Sequence, residues 1–173
     1  MVQPLYPPIY VDPAGETVYD DVPYEFIPLG YVVPTDWTIK SDDILCTINS
    51  LKSMGVKIDT ENENLIIYGN GLNSLTKPKK KIDLGNSGTS ARLLLGLLSA
   101  QKFESHLFGD HSLSKRPMNR IIEPLKKMGA NIISNNNKLP IIITGKKLNN
   151  IKYDLEIPSA QVKSGIALAA LYI

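Results

Sequence analysis

Three short segments carry residue types suited to holding anions. Gly85-Asn86-Ser87-Gly88-Thr89 joins a strand, Ile82-Asp83-Leu84, to an apolar helix expected over Ala91 to Ala100. Glycines let a backbone approach an anion closely, and the unpaired amides of a helix's first turn point at it. The segment is not a P-loop, since the Lys-Ser/Thr ending is absent, and it is not GxGxxG. A plain glycine-rich turn is the competing reading. Ser159-Ala160-Gln161 stands before a second apolar helix, Ile166 to Leu171, and offers a hydroxyl and an amide for a sugar-like hydroxyl or a phosphate. Gly109-Asp110-His111-Ser112-Leu113-Ser114-Lys115-Arg116-Pro117-Met118 sets an arginine beside a proline able to start a helix. His111 is either an acid or base in that loop or an ordinary loop or capping residue.

Arginine usage sharpens the picture. Of 19 basic residues only Arg92, Arg116 and Arg120 are arginines. In a chain that otherwise prefers lysine, an arginine points to its planar fork, which grips phosphate or carboxylate through two parallel bonds. For Arg120 a surface helix pair is the simpler account.

The elements that must position these residues form a regular succession. Ser41-Asp42-Asp43 reads as a helix start, with a capping hydroxyl and acids at the positive end of the dipole. Ile44, Leu45, Ile48, Leu51 and Met54 follow at helical spacing, and Gly55 stops the run. Strands are expected at Val56-Lys57-Ile58, Leu65 to Tyr68 and Ser105 to Phe108, with a basic loop at Lys77 to Lys81. Leu51-Lys52-Ser53-Met54-Gly55-Val56 returns as Leu125-Lys126-Lys127-Met128-Gly129-Ala130, again followed by a polar turn and a second strand, Leu139 to Gly145. Leu84 with its turn likewise returns as Ile157 with Pro158-Ser159-Ala160-Gln161. The pattern predicts duplicated βαβαββ units in an α/β (α+β) fold. Ile173 is expected to fall inside an apolar helix, leaving a partner unit missing.

Residues 84–92, 109–118 and 158–164 together resemble the 3-phosphoshikimate 1-carboxyvinyltransferases, or EPSP synthases. Leu84-Gly85-Asn86-Ser87-Gly88-Thr89-Ser90-Ala91-Arg92 is similar to the family's first signature. Gly109-Asp110, Ser112-Leu113 and Lys115-Arg116-Pro117-Met118 are similar to its second loop, and Pro158-Ser159-Ala160-Gln161-Val162-Lys163-Ser164 to its substrate-binding turn. UDP-N-acetylglucosamine carboxyvinyltransferase fits worse, because its loop cysteine is absent and its turn differs. The resemblance implies part of one domain of an inside-out α/β barrel, over residues 38–173. It implies transfer of the enolpyruvyl group of phosphoenolpyruvate to the 5-hydroxyl of shikimate 3-phosphate, in the route to chorismate and the aromatic amino acids. On that likeness Gly88, Arg116 and Gln161 contact phosphoenolpyruvate. Ser159, Ala160 and Gln161 hold shikimate 3-phosphate, and Asn86, Thr89 and Arg92 support them. No metal or organic cofactor is implied.

The likeness stops upstream of Lys40, where the family's Lys-Ser-x-x-x-Arg segment has no counterpart. Residues 1–37 hold no Lys or Arg, six acidic residues, seven of the 12 prolines and five of the eight tyrosines. They are expected to be extended or disordered, since proline cannot donate to a helix; Tyr31-Val32-Val33 suits an extended run. The family's acid/base residues are expected in a second domain, so the chain alone reads as inactive. It would then be a truncated member, a non-enzymatic anion-binding remnant, or one half of a split enzyme completed by a second polypeptide or by self-association. A net charge of +2 argues for neither nucleic acid nor membrane surface as partner. One cysteine, Cys46, and two histidines, His106 and His111, supply neither a disulfide framework nor a metal centre. Without an apolar run of membrane-spanning length or a signal peptide, the expected setting is cytoplasmic.

Overall fold

A computed structural model describes residues 30–34, 41–61 and 64–173. The repeated hexapeptide explains itself at once. Helix α1 (Asp42–Ser53) ends where the Gly55 N–H donates to Lys52 O and the Val56 N–H to Leu51 O, with Gly55 at φ +91°. Helix α4 (Asn119–Lys127) ends in the same pair of bonds, Gly129 to Lys126 O and Ala130 to Leu125 O, with Gly129 at φ +100°. Each is a Schellman stop, which needs a left-handed residue and therefore a glycine. Each turns the chain directly into a β-hairpin.

Those hairpins build two sheets of like plan. In the first, β1 (Gly30–Pro34), β3 (Asn64–Tyr68) and β2 (Lys57–Glu61) lie in that order, all antiparallel, with Tyr68 opposite both Gly30 and Lys57. In the second, β5 (Glu104–Phe108), β7 (Lys138–Thr144) and β6 (Asn131–Asn135) take the same order, with Thr144 opposite both Glu104 and Asn131. The β6–β7 turn rests on Asn136 and Asn137, both at positive φ, as a tight hairpin requires. A two-residue strand, β4 (Ile82–Asp83), adds to β5 in parallel.

β1 lies within residues 1–37, expected to be extended or disordered with an extended run at Tyr31-Val32-Val33, and it pairs with β3; the rest of the head lies outside the described residues. Three expectations are corrected, on the Ser41 cap, the segment before Pro158 and the end of the last helix. Ser41 occupies the N-cap of α1, but its carbonyl, not its hydroxyl, makes the contacts, accepting from Ile44 and Leu45. No strand precedes Pro158: Ile151 to Ile157 find no neighbouring strand among the described residues, and a lone extended segment has no ladder to join. The last helix, α5 (Ala160–Ala170), ends before Ile173. There the Tyr172 and Ile173 amides reach back three residues to Ala169 and Ala170, tightening the final turn.

Strand residues alternate between the helices and the outside. Leu107, Leu139, Ile141, Ile143 and Ile132 face inward, against Leu95, Leu98, Ile121, Leu125 and Met128. α2 (Gly88–Ser99) lies against α5 more extensively than any other pair of helices. Their backbones touch where Gly96 meets Gly165, leaving no space for a side-chain carbon on Gly96, which would overlap the Gly165 carbonyl. This contact fixes the site, because it brings the two helix starts side by side.

Candidate functional site

The helix after the glycine turn begins three residues earlier than its apolar run, because Ser87 caps it. The Ser87 hydroxyl accepts from the Ser90 N–H at 3.1 Å, which places Gly88 and Thr89 in the first helical turn. Ser90 Oγ contacts Ser87 Oγ at 2.7 Å and Thr47 Oγ1 at 2.6 Å, pinning this start to α1. The preceding turn is held by Gly85, at φ +50°, whose N–H donates to Asp83 and whose carbonyl accepts from Asp110. α5 starts the same way, the Val162 N–H donating to Ser159 Oγ at 3.4 Å. Among the described residues, the amides of Gly88 and Thr89, and of Ala160 and Gln161, have no acceptor. Two positive helix ends thus lie together, with donors unspent.

Arginines converge on the same place. Arg92 Nη1 donates to the Gly88 carbonyl and to Gln161 Oε1, both at 2.9 Å. Gln161 Nε2 donates to Thr89 Oγ1 at 2.9 Å, closing a link between α2 and α5. Arg116, just past the short helix α3 (His111–Lys115), donates from Nη2 to Asn86 Oδ1 at 2.6 Å. A Cβ on Gly88 would stand 2.9 Å from Arg92 Nη1 and 3.2 Å from Arg116 Nη1, so only glycine leaves both guanidinium groups their positions. Neither arginine has a carboxylate partner among the described residues. Burial holds Arg92 below arginine's ordinary pKa, and repulsion from Arg116 and Arg120 lowers it further. Like charges gathered with no counter-charge among the described residues, beside amides without an acceptor there, are an arrangement chemically suited to an anion.

The structure therefore brings Asn86, Gly88, Thr89, Arg92, Arg116, Ser159, Ala160 and Gln161 to one place. His111 is not drawn in: Asp110 caps α3 by accepting from Leu113, and His111 is the exposed first residue of that helix. His106 stands on the outer sheet face, 2.7 Å from Glu104. Sequence reasoning missed the Ser90–Thr47 anchor and the Gly96–Gly165 contact. Neither has a local signal, since each depends on which helices meet.

The sequence profile described as EPSP synthase (3-phosphoshikimate 1-carboxyvinyltransferase) matches residues 37–173. The chain belongs to this family. It is 58% identical over 135 residues to the 3-phosphoshikimate 1-carboxyvinyltransferase of Ruthia magnifica subsp. Calyptogena magnifica, a match covering 78% of this chain and 31% of that protein. To the enzyme of that name from Oceanobacillus iheyensis it is 49% identical over 136 residues, covering 78% and 32%. The solved EPSP synthase of Acinetobacter baumannii superposes with a TM-score of 0.74 at 48% identity, covering 78% of this chain and 31% of that one. The chain thus spans about a third of the length of the EPSP synthases it matches. Among the described residues no helix is long and apolar enough to cross a membrane.

Proposed function

We propose that the paired starts of α2 and α5 bind the two anionic substrates of an enolpyruvyl transfer, shikimate 3-phosphate and phosphoenolpyruvate. The observation that carries this reading is the convergence of Arg92 and Arg116 on two capped helix starts with no carboxylate paired to either among the described residues. Arg116 and the amides of Gly88 and Thr89 meet phosphoenolpyruvate. Ser159, Ala160 and Gln161 meet shikimate 3-phosphate, Gln161 reaching both. Each charge-assisted bond is worth roughly 1.5–3 kcal/mol, so a few of them suffice to hold a phosphate.

In the reaction proposed, the 5-hydroxyl of shikimate 3-phosphate gives its proton to a base as its oxygen bonds to C2 of phosphoenolpyruvate, and the C2–C3 π electrons take up a proton at C3. Loss of that proton and of phosphate from the tetrahedral adduct then gives the enol ether. No carboxylate or histidine hydrogen-bonds to the arginine cluster among the described residues, so proton transfer is assigned to polypeptide outside this site. That polypeptide is the remaining part of an EPSP synthase, joined to this chain or separate from it, and a cytoplasmic setting belongs to the same proposal. The test is to mix the chain with the complementary two thirds of the Ruthia magnifica enzyme and follow phosphate release from phosphoenolpyruvate. Release that needs shikimate 3-phosphate and is lost in Arg116→Ala supports the reading. Absence of release from a mixture that binds neither substrate would leave only a general anion site.

A further inference from the structure

A glutamine side chain has two nearly isosteric ends, one accepting and one donating, and a site that uses it must fix which end points where. At Gln161 both ends are engaged. Arg92 Nη1 donates to Oε1 at 2.9 Å, and Nε2 donates to Thr89 Oγ1 at 2.9 Å. A guanidinium has no acceptor, so Nε2 cannot take the place of Oε1 against Arg92; the opposite orientation would set an N–H against a cation. The same Nη1 also donates to the Gly88 carbonyl at 2.9 Å. One nitrogen thus ties the orientation of Gln161 to the first turn of α2. One Nε2 hydrogen is left over.

We infer that Arg92 is a positioning residue: it locks the Gln161 amide so that the spare N–H faces the bound substrate, and it couples that donor to the Gly88 turn. The claim about the substrate rests on Gln161 being a substrate contact, as proposed above. The claim about the lock does not. Two features favour positioning over a purely structural role. Arg92 makes no ion pair among the described residues, and its two bonds leave from a single nitrogen, so they call for one cationic donor atom and not for the two-nitrogen fork.

The test is NMR of the full ¹⁵N-labelled chain, following the Gln161 side-chain amide in wild type, Arg92→Met, Arg92→Lys and Thr89→Val. In wild type the two Nε2 protons should be widely separated, one of them slow to exchange with water. In Arg92→Met they should move to free-glutamine positions while the backbone signals of α5 stay in place, and Arg92→Lys should restore most of the separation. Affinity for shikimate 3-phosphate should fall about tenfold in Arg92→Met and return to within about threefold of wild type in Arg92→Lys. Thr89→Val, which keeps the cation, should loosen only the Nε2 end and decides the matter if Arg92→Met does not fold. Unchanged Gln161 signals in Arg92→Met, or a Thr89→Val variant with wild-type Nε2 exchange, would overturn the lock. Altered signals with unaltered affinity would overturn the positioning role. A wild-type chain that binds no shikimate 3-phosphate would defeat the substrate reading, and the lock would then stand or fall on the Gln161 signals alone.

Discussion

At the start of α2 a buried serine caps the helix, a glycine follows, and a threonine comes third; at the start of α5 the order is serine, alanine, glutamine. The backbones do the same thing at both places, and the side chains do not. Gly88 leaves room for two guanidinium groups, whereas Ala160 carries a methyl. Thr89 and Gln161, second in their helices, bond to each other. One start therefore carries the cations and the other carries neutral donors and acceptors. That division suits a pair of ligands of which one is a compact anion and the other a phosphorylated polyol. The junctions behind them differ as well: Leu84 is buried, while its sequence counterpart Ile157 is 52% exposed, so only the α2 turn is anchored from beneath.

The comparison can be broken most severely at the Gly96–Gly165 contact, which holds the two starts together. Gly96→Val should cost about 3 kcal/mol or more, because neither helix backbone can yield. Urea unfolding checks this, and wild-type stability would refute the contact. Next come the two caps. Ser87→Ala should cost about 2 kcal/mol and Ser159→Ala about 0.5 kcal/mol, since Ser87 is buried with two partners and Ser159 makes one bond at 3.4 Å. Equal losses in thermal or urea unfolding would erase the asymmetry.

Gly88→Ala should leave stability nearly unchanged, as the flexible ends of Arg92 and Arg116 can move aside, but should weaken inorganic phosphate binding about tenfold. Ala160→Gly, at the matching position, should leave phosphate affinity unaltered in the same titration. The smallest effect lies away from both starts. Glu104 sits below its ordinary carboxylate pKa, chiefly through the hydrogen bond from His106. A depressed carboxylate adds stability above its unfolded-state value and loses it as pH falls through the folded one. Glu104→Gln should therefore flatten the acid side of the stability–pH curve slightly and leave the neutral region alone.

Much of this could be read from the residues because the signals were local. The repeated Leu-Lys-x-Met-Gly segment is a helix stop in both copies, and a stop is encoded by its own glycine. Gly85 to Thr89, Arg116 and Ser159 to Gln161 stand out as candidate anion-binding material for the same reason, and the structure brings them together. What escaped needed a partner. The segment before Pro158 repeats the pattern before Gly85 but meets no strand among the described residues, and Tyr31-Val32-Val33, extended as its residues suggest, owes its partner to β3 lying beside it. The link from Arg92 through Gln161 to Thr89 spans two helices and has no signature in either. His111 looked chemically promising by type alone, and its exposed place at the start of α3 removes it from the arginine cluster.

The most direct measurement is an amide NMR titration of the full chain with shikimate 3-phosphate, repeated with unphosphorylated shikimate and with Ser159→Ala and Arg116→Ala. The account predicts saturable shifts at residues 86–92, 116 and 159–163 with the phosphorylated ligand. They should be much weaker with shikimate and reduced in both variants. A well-dispersed spectrum that does not respond there, or responds instead at Lys77 to Lys81, would contradict it.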